Sequence, residues 1–302
     1  MTRAQPRQGH VRANGLRFAY LEQGPADGPL VLLLHGFPDH AWTWQYQLPA
    51  LADAGWRAVA PWMRGYHPTE VPKDLRIPPG LLATDANALH AALGGDGRAV
   101  IVGHDWGAIA TYGAASTAAQ RWSRVVTLAV PPGAALLPRA LVDPSQLRRS
   151  WYIGFFQLPV LPERFIGSDH FTRIDHLWRA AWRGYRDDPH FREQLRTTFT
   201  HPRTLAAALG YYRSAANPLA RRQAPAASNA AVARVPAQPL LYLHGRRDGA
   251  IGVAYAERAR DVVTRPGSRV EILDDCGHFL HLERPEEVNR LLLDFLGAPP
   301  AR

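Results

Sequence analysis

The sequence predicts an α/β fold: a mostly parallel, doubly wound sheet interrupted once by a helical lid. Three observations carry that prediction. Short runs of branched apolar residues, such as Leu30 to Leu34 and Val100 to Val102, have the length and continuity of strands buried on both faces. Helical patterns alternate with them over residues 1–133, as βαβ units require. From about residue 134 to 220 strand patterns vanish, and they return only at Leu240. The chain thus divides into a first core part (1–133), a lid (134–220) and a second part (221–302) holding a linker and the rest of the core.

Taken in order, residues 10–22 alternate around Asn14-Gly15, a dipeptide suited to a tight hairpin turn. Leu30 to Leu34 runs straight into His35-Gly36-Phe37-Pro38, which places a loop at the carboxyl edge of the sheet, with Phe37-Pro38 a candidate cis bond. Ala41 to Ala54 reads as one aromatic-rich amphipathic helix, Arg57 to Ala60 as a strand, Arg64 to Pro68 as a loop and Leu81 to Leu93 as a helix. Val125 to Val130 is the next strand, stopped by Pro131-Pro132-Gly133. Residues 217–239, rich in Pro and Ala, read as the linker back from the lid. Leu240 to His244 and Arg269 to Leu273 are the last strands, and Pro285 to Leu296 is a terminal helix.

Between the strand at Val100 and the helix after it stands Gly103-His104-Asp105-Trp106-Gly107. This has the form of a nucleophile elbow, G-x-S-x-G, with Asp105 in place of the serine. A strand that turns at once into a helix strains its corner residue and brings the two elements close, so positions two before and two after must be nearly free of side chain. Gly103 and Gly107 meet that demand. The plainer reading of Asp105 is a helix N-cap. Two further polar residues also follow buried strands, Asp248 after Gly245-Arg246-Arg247 and His278 after Cys276-Gly277. In a parallel sheet all three emerge on one edge, where such folds place their sites. Nucleophile, acid, histidine is moreover the chain order of α/β-hydrolases.

The bulk numbers narrow the function classes. Of 302 residues 46% are apolar and 20% charged, which suits an ordinary globular protein. The net charge of +9 is spread along the chain, with Lys73 the only lysine and no basic patch in a nucleic-acid-binding motif, so no nucleic-acid partner is expected. The single cysteine, Cys276, forms no internal disulfide and suits a reducing compartment. Residues 1–7 lack the apolar core of a secretory signal, and no run has the length of a membrane span. A cytoplasmic protein is expected, and a homodimer is compatible with the sequence.

Gly103-His104-Asp105-Trp106-Gly107, His35-Gly36-Phe37-Pro38, Gly245-Arg246-Arg247-Asp248 and Gly277-His278-Phe279-Leu280-His281-Leu282-Glu283-Arg284-Pro285 together resemble the epoxide hydrolases of the α/β-hydrolase superfamily. The resemblance covers nearly the whole chain. It implies an α/β-hydrolase fold in which Asp105 attacks a small apolar epoxide, forming a covalent alkyl ester. His278, oriented by Asp248, then activates the water that cleaves it. Two lid tyrosines of that family hold and protonate the epoxide oxygen; Ser150-Trp151-Tyr152 and Gly210-Tyr211-Tyr212-Arg213 match their contexts. Tyr152 and Tyr212 are the implied pair, Tyr212 chosen over Tyr211 by its place beside Arg213. Backbone N–H groups of Phe37 and Trp106 are the expected oxyanion hole, with no metal or cofactor. Trp151, Phe155, Phe156, Trp178, Trp182 and Tyr211 are expected to give the lid pocket its aromatic lining, while His104 and His35 are expected to be structural. The chain departs from the family in having Pro61-Trp62-Met63, with no acidic residue, ahead of Arg64-Gly65.

Two alternatives keep the same machinery. A haloalkane dehalogenase shares the Asp nucleophile but needs two halide donors; Trp106 supplies one, and the side chain of Phe37 supplies none. A fluoroacetate-type dehalogenase would carry Arg in the place of Trp106, and an ordinary esterase would carry Ser at the elbow. From another class, a non-catalytic binding homologue would keep the pocket without turnover.

Overall fold

Asn14 and Gly15 both take positive φ, 42° and 78°, the left-handed pair that a two-residue hairpin turn requires. They join β1 (Arg7–Ala13) to β2 (Leu16–Gln23) in antiparallel register, Ala13 facing Leu16. The computed structural model describes residues 5–168, 172–174 and 188–300. The pocket positions expected at Trp178 and Trp182 lie outside the described residues.

Among the described residues the strands form one sheet of eight. β3 (Leu30–Leu34), β4 (Arg57–Pro61), β5 (Val100–His104), β6 (Arg124–Leu128), β7 (Leu240–Gly245) and β8 (Arg269–Leu273) follow in chain order. Their order in space is β1-β2-β4-β3-β5-β6-β7-β8, parallel from β4 onward. After β3 the chain steps outward to β4, then returns past β3 to build β5 to β8 on the other side. The order therefore reverses between β3 and β5, and ligands of open α/β sheets bind beyond the strand ends at such a reversal. Leu34 pairs with Gly103 there, so the loop carrying Phe37 and the elbow carrying Asp105 begin side by side. β3 and β5 are buried throughout, as their unbroken apolar runs require.

Three expectations shift, and one helix is added. The single helix expected over 41–54 is a 3-10 turn, Ala41–Trp44, followed by a helix, Gln47–Asp53. Pro49 explains the break: in one continuous helix it would remove an interior hydrogen bond, whereas in a first turn its missing N–H is tolerated. β6 ends at Leu128 rather than Val130, because Ala129 takes φ 67°. The linker expected over 217–239 contains a helix, Ala226–Ala231, that packs on the core helices Pro79–Ala92 and Trp106–Thr117. A Cβ on Gly80 would lie 2.6 Å from the Asn229 nitrogen, so that helix sits hard against the core. A helix at Val253–Val262, between β7 and β8, is one the sequence pattern did not mark.

Between β6 and β7 the described residues hold helices and turns, among them Pro144–Arg149, Trp151–Phe155, Leu161–Gly167, Pro189–Thr200 and Thr204–Ala216. No helix of the described residues is long and apolar enough to cross a membrane.

Candidate active site

The elbow is built as its glycines predict. Asp105 has φ 53° and ψ −118°, a strained conformation for a residue with a side chain. A Cβ on Gly103 would lie 2.2 Å from the Gly107 carbonyl oxygen, and one on Gly107 would lie 2.2 Å from that of Leu34. Asp105 stands at the N-cap of Trp106–Thr117, yet its side chain makes no cap hydrogen bond. Its Oδ1 instead accepts from the backbone N–H of Phe37 at 2.9 Å. The carboxylate thus faces the β3 loop, which decides against the plain capping role. Gly36 allows the approach, since a Cβ there would lie 2.3 Å from that of Asp105. The Phe37-Pro38 peptide is cis.

The other two members of the expected triad join it. His278 Nε2 lies 3.5 Å from Asp105 Oδ2, and Nδ1 lies 2.9 Å from Asp248 Oδ2. Asp248 Oδ1 accepts from the N–H groups of Ala250 and Ile251 at 2.7 and 3.0 Å, so its other oxygen is left for the imidazole. Asp248 and His278 are buried, while 13% of the Asp105 side chain reaches solvent. Burial pushes down the proton affinity of His278, but Asp248 and Asp105 outweigh it and raise its pKa to about 10. Burial likewise pushes both carboxyls up, and the facing His278 outweighs it, leaving each below its ordinary value. At neutral pH the site is therefore one imidazolium between two carboxylates.

The two expected tyrosines come from the helical segment between β6 and β7, near enough for the Asp105 charge to act on both. Tyr152 and Tyr212 are buried, with ring centroids 6.0 Å apart. Tyr212 meets Trp106 edge-on at 4.9 Å and Phe37 at 5.5 Å. Burial first, and the Asp105 charge second, raise both phenols above their ordinary value, so each keeps the proton it would donate. Residues 152 and 156 share the inner face of their turn, and Phe156 packs against Phe37 at 5.5 Å and Tyr212 at 5.0 Å. Trp151, expected in the pocket lining, is 56% exposed, and Phe155 is partly buried against the core. Tyr211 is buried, and its hydroxyl donates to the Arg64 carbonyl at 2.6 Å, an anchoring contact.

A profile of the alpha/beta hydrolase fold matches residues 29–285. Epoxide hydrolase A of Mycobacterium tuberculosis is 33% identical, over 96% of this chain and 97% of that protein. The chain belongs to the epoxide hydrolase family of α/β-hydrolases. Epoxide hydrolase 3 of Xenopus tropicalis is 31% identical, over 97% of this chain and 78% of that protein. The crystal structure of epoxide hydrolase A from Mycobacterium thermoresistibile superposes with a TM-score of 0.79 at 29% identity, over 98% of this chain and 100% of that one.

Several residues that support this family member's site had no assigned role in the sequence. The acidic residue missing ahead of Arg64 is supplied from elsewhere: Asp85 of the helix Pro79–Ala92 takes the Arg64 guanidinium at 2.6 and 2.7 Å, in a buried bidentate pair. Arg64 in turn presents its carbonyl to Tyr211. His35 acts as the expected brace, since Nε2 accepts from the Met63 N–H at 3.0 Å and Nδ1 pairs with the Gly36 carbonyl at 3.0 Å. His104 points back from the elbow, and its Nε2 donates to the His278 carbonyl at 2.9 Å. Asp39, His104 and His281 bring one ligand-type atom each within 4.8 Å of one another, the one metal-like grouping among the described residues. The helix Pro144–Arg149 is tied to the loop of Asp248 as well. Gln146 bonds the Ala250 carbonyl and the Gly252 N–H, and Arg149 donates to the Asp248 carbonyl at 2.9 Å.

Proposed function

We propose that this hydrolase opens a small apolar epoxide to a vicinal diol through a covalent ester on Asp105, with the helical segment 134–220 as lid. The observation that carries the reading is the Asp105 carboxylate. It is held by the Phe37 N–H on one oxygen, faced by His278 on the other and overlaid by two protonated tyrosines. A carboxylate needs no base to attack carbon. Oδ2 forms the bond to the epoxide carbon, and the breaking C–O bond leaves its electrons on the ring oxygen, which takes one proton from Tyr152 or Tyr212 while the other phenol donates a hydrogen bond to it. Oδ1 remains as the ester carbonyl, already placed on the Phe37 N–H, with the Trp106 N–H completing the oxyanion hole.

Esterification changes the histidine. His278 holds its proton because two carboxylates face it; once Asp105 is an uncharged ester, one of them is gone. The imidazolium then gives its proton to the phenolate, restoring that tyrosine, and neutral His278 takes a proton from water as that water attacks the ester carbonyl. On collapse the departing alkyl oxygen takes that proton from His278 and becomes the second hydroxyl of the diol; the water's oxygen stays in Asp105, whose acid proton returns to His278.

Residues of this chain carry each of these steps, so no cofactor is invoked. The two tyrosines favour an epoxide over a haloalkane, because they supply protons to an alkoxide and a departing halide needs none. We also place the protein in a reducing cytoplasm, on its lone buried Cys276, acting on a freely diffusing substrate and not on nucleic acid; a homodimer is the assembly to test by light scattering. Intact-mass spectrometry of the His278→Gln variant after exposure to styrene oxide tests the mechanism. The expected result is a mass gain of one substrate on Asp105, and no adduct on a folded, substrate-binding variant would refute it. A parallel panel of bromoalkanes, turned over faster than epoxides, would establish the dehalogenase instead.

A further inference from the structure

Glu283 lies five residues beyond His278, on the short helix Leu280–Glu283, and it is 95% buried. Its carboxylate reaches back around the histidine. Oε2 accepts from the Gly277 N–H at 2.7 Å and Oε1 from the Phe279 N–H at 3.1 Å. The backbone N–H groups of the residues before and after His278 therefore hang from one carboxylate. The His278 carbonyl is held separately by His104, and the ring by Asp248. Backbone and ring are thus fixed from three directions.

We propose that Glu283 is a positioning residue for His278, its carboxylate fixing the loop that aims Nε2 at the ester on Asp105. This rests on the covalent mechanism proposed above. The proposal makes the loop sensitive to pH. An ionised carboxylate accepts from both N–H groups, whereas a protonated one offers a hydroxyl to one of two donors and holds the loop less firmly.

The surroundings place that change within reach. Burial pushes the Glu283 carboxyl up to about 7, against the Gly277 and Phe279 N–H groups and the His278 charge, which pull it down; Asp248 adds to the upward push. The other charged or titratable groups near this corner are Arg284, Glu287 and Cys276, whose thiol burial and Glu283 hold up at about 12. His281, on the same short helix, is kept neutral by burial and by the nearby His104 and His278. Ester cleavage should therefore run fully above pH 7 and slow below it, while attack by Asp105, which needs no aimed base, should not follow Glu283.

The test is stopped-flow fluorescence of alkylation and ester cleavage from about pH 6 to 9 in the wild type and in Glu283→Gln, which keeps one acceptor and loses the charge. Cleavage at pH 8 should be about tenfold slower in the variant, as for loss of one hydrogen bond to a charged group, and its ionisation near pH 7 should disappear while alkylation is unchanged. A purely structural cap would lower the melting temperature and leave that pH profile in place; a folded variant with the wild-type rate and profile overturns the proposal. If the variant does not fold, the wild type labelled with ¹⁵N at glycine and phenylalanine decides: the Gly277 and Phe279 amides should titrate together near pH 7. Their failure to move overturns the proposal. Absence of an ester in the wild type would instead refute the covalent mechanism, and the amide titration would still report on the clamp.

Discussion

Asparagine at position 248 would keep the shape of the acid loop and reverse the hydrogen bond that orients His278. The side-chain oxygen can still accept from Ala250 and Ile251, now at 2.7 and 3.0 Å. The amide nitrogen then falls where Oδ2 takes the His278 Nδ1 proton at 2.9 Å. Two donors cannot pair, so the neutral imidazole moves its proton to Nε2, the atom that must accept from water. The expected loss is about 10⁴-fold in ester cleavage, or about 5 kcal/mol of barrier, the scale of the same exchange in a serine triad. Alkylation should fall by less than about tenfold, because an ionised carboxylate attacks without a base. Asp248 is also the strongest of the influences holding the His278 pKa up near 10, so its removal lowers that value. Rapid-quench sampling with intact-mass detection measures both steps, and the variant should accumulate ester in the first turnover. Equal losses in the two steps, or cleavage slowed less than tenfold, would refute the assignment of Asp248 as the orienting acid.

The other expectations separate the remaining parts. Tyr152→Phe and Tyr212→Phe should each slow alkylation about 10²-fold and leave ester cleavage within a few-fold, because the tyrosines act on the epoxide oxygen alone; stopped-flow fluorescence of the two phases checks this. Asp85→Ala leaves the buried Arg64 guanidinium unpaired and should cost about 3–5 kcal/mol of stability in chemical denaturation, with activity retained in whatever fraction stays folded. His278 has a folded pKa of about 10 against an ordinary 6.5. Its contribution to stability is therefore complete below pH 6.5 and lost as pH rises through 10. In scanning calorimetry the wild-type melting temperature should fall further than that of His278→Gln between pH 7 and 10.

What could be read from the chain is what local sequence determines. The elbow is legible because strand, corner and helix are contiguous, and Gly103 and Gly107 record in sequence an approach so close that an added Cβ would lie 2.2 Å from a neighbouring carbonyl oxygen. Asp248 and His278 are legible because a parallel sheet sends every strand's carboxyl end to the same edge. Partners chosen by packing are not. The carboxylate for Arg64 comes from Asp85, 21 residues on, in a helix whose Asn87 and His90 are polar too but bond Trp122 and the Asp96 carbonyl instead. Glu283 stands in plain view five residues after His278, yet its value depends on a chain reversal that no spacing rule announces. The lid is hardest to read. Trp151, Phe155 and Phe156 are equally aromatic, and a rotation of one residue about the axis of a five-residue helix decides which enter the pocket. That rotation is set by what the helix ends hold: Gln146 and Arg149 on the acid loop before it, and Arg213 on the Phe156 carbonyl at 2.9 Å after it. The same contacts that choose Tyr152 and Phe156 for the interior therefore tie the segment carrying them to the loop of Asp248, so Tyr152 and Asp248 are positioned by one hydrogen-bonded unit.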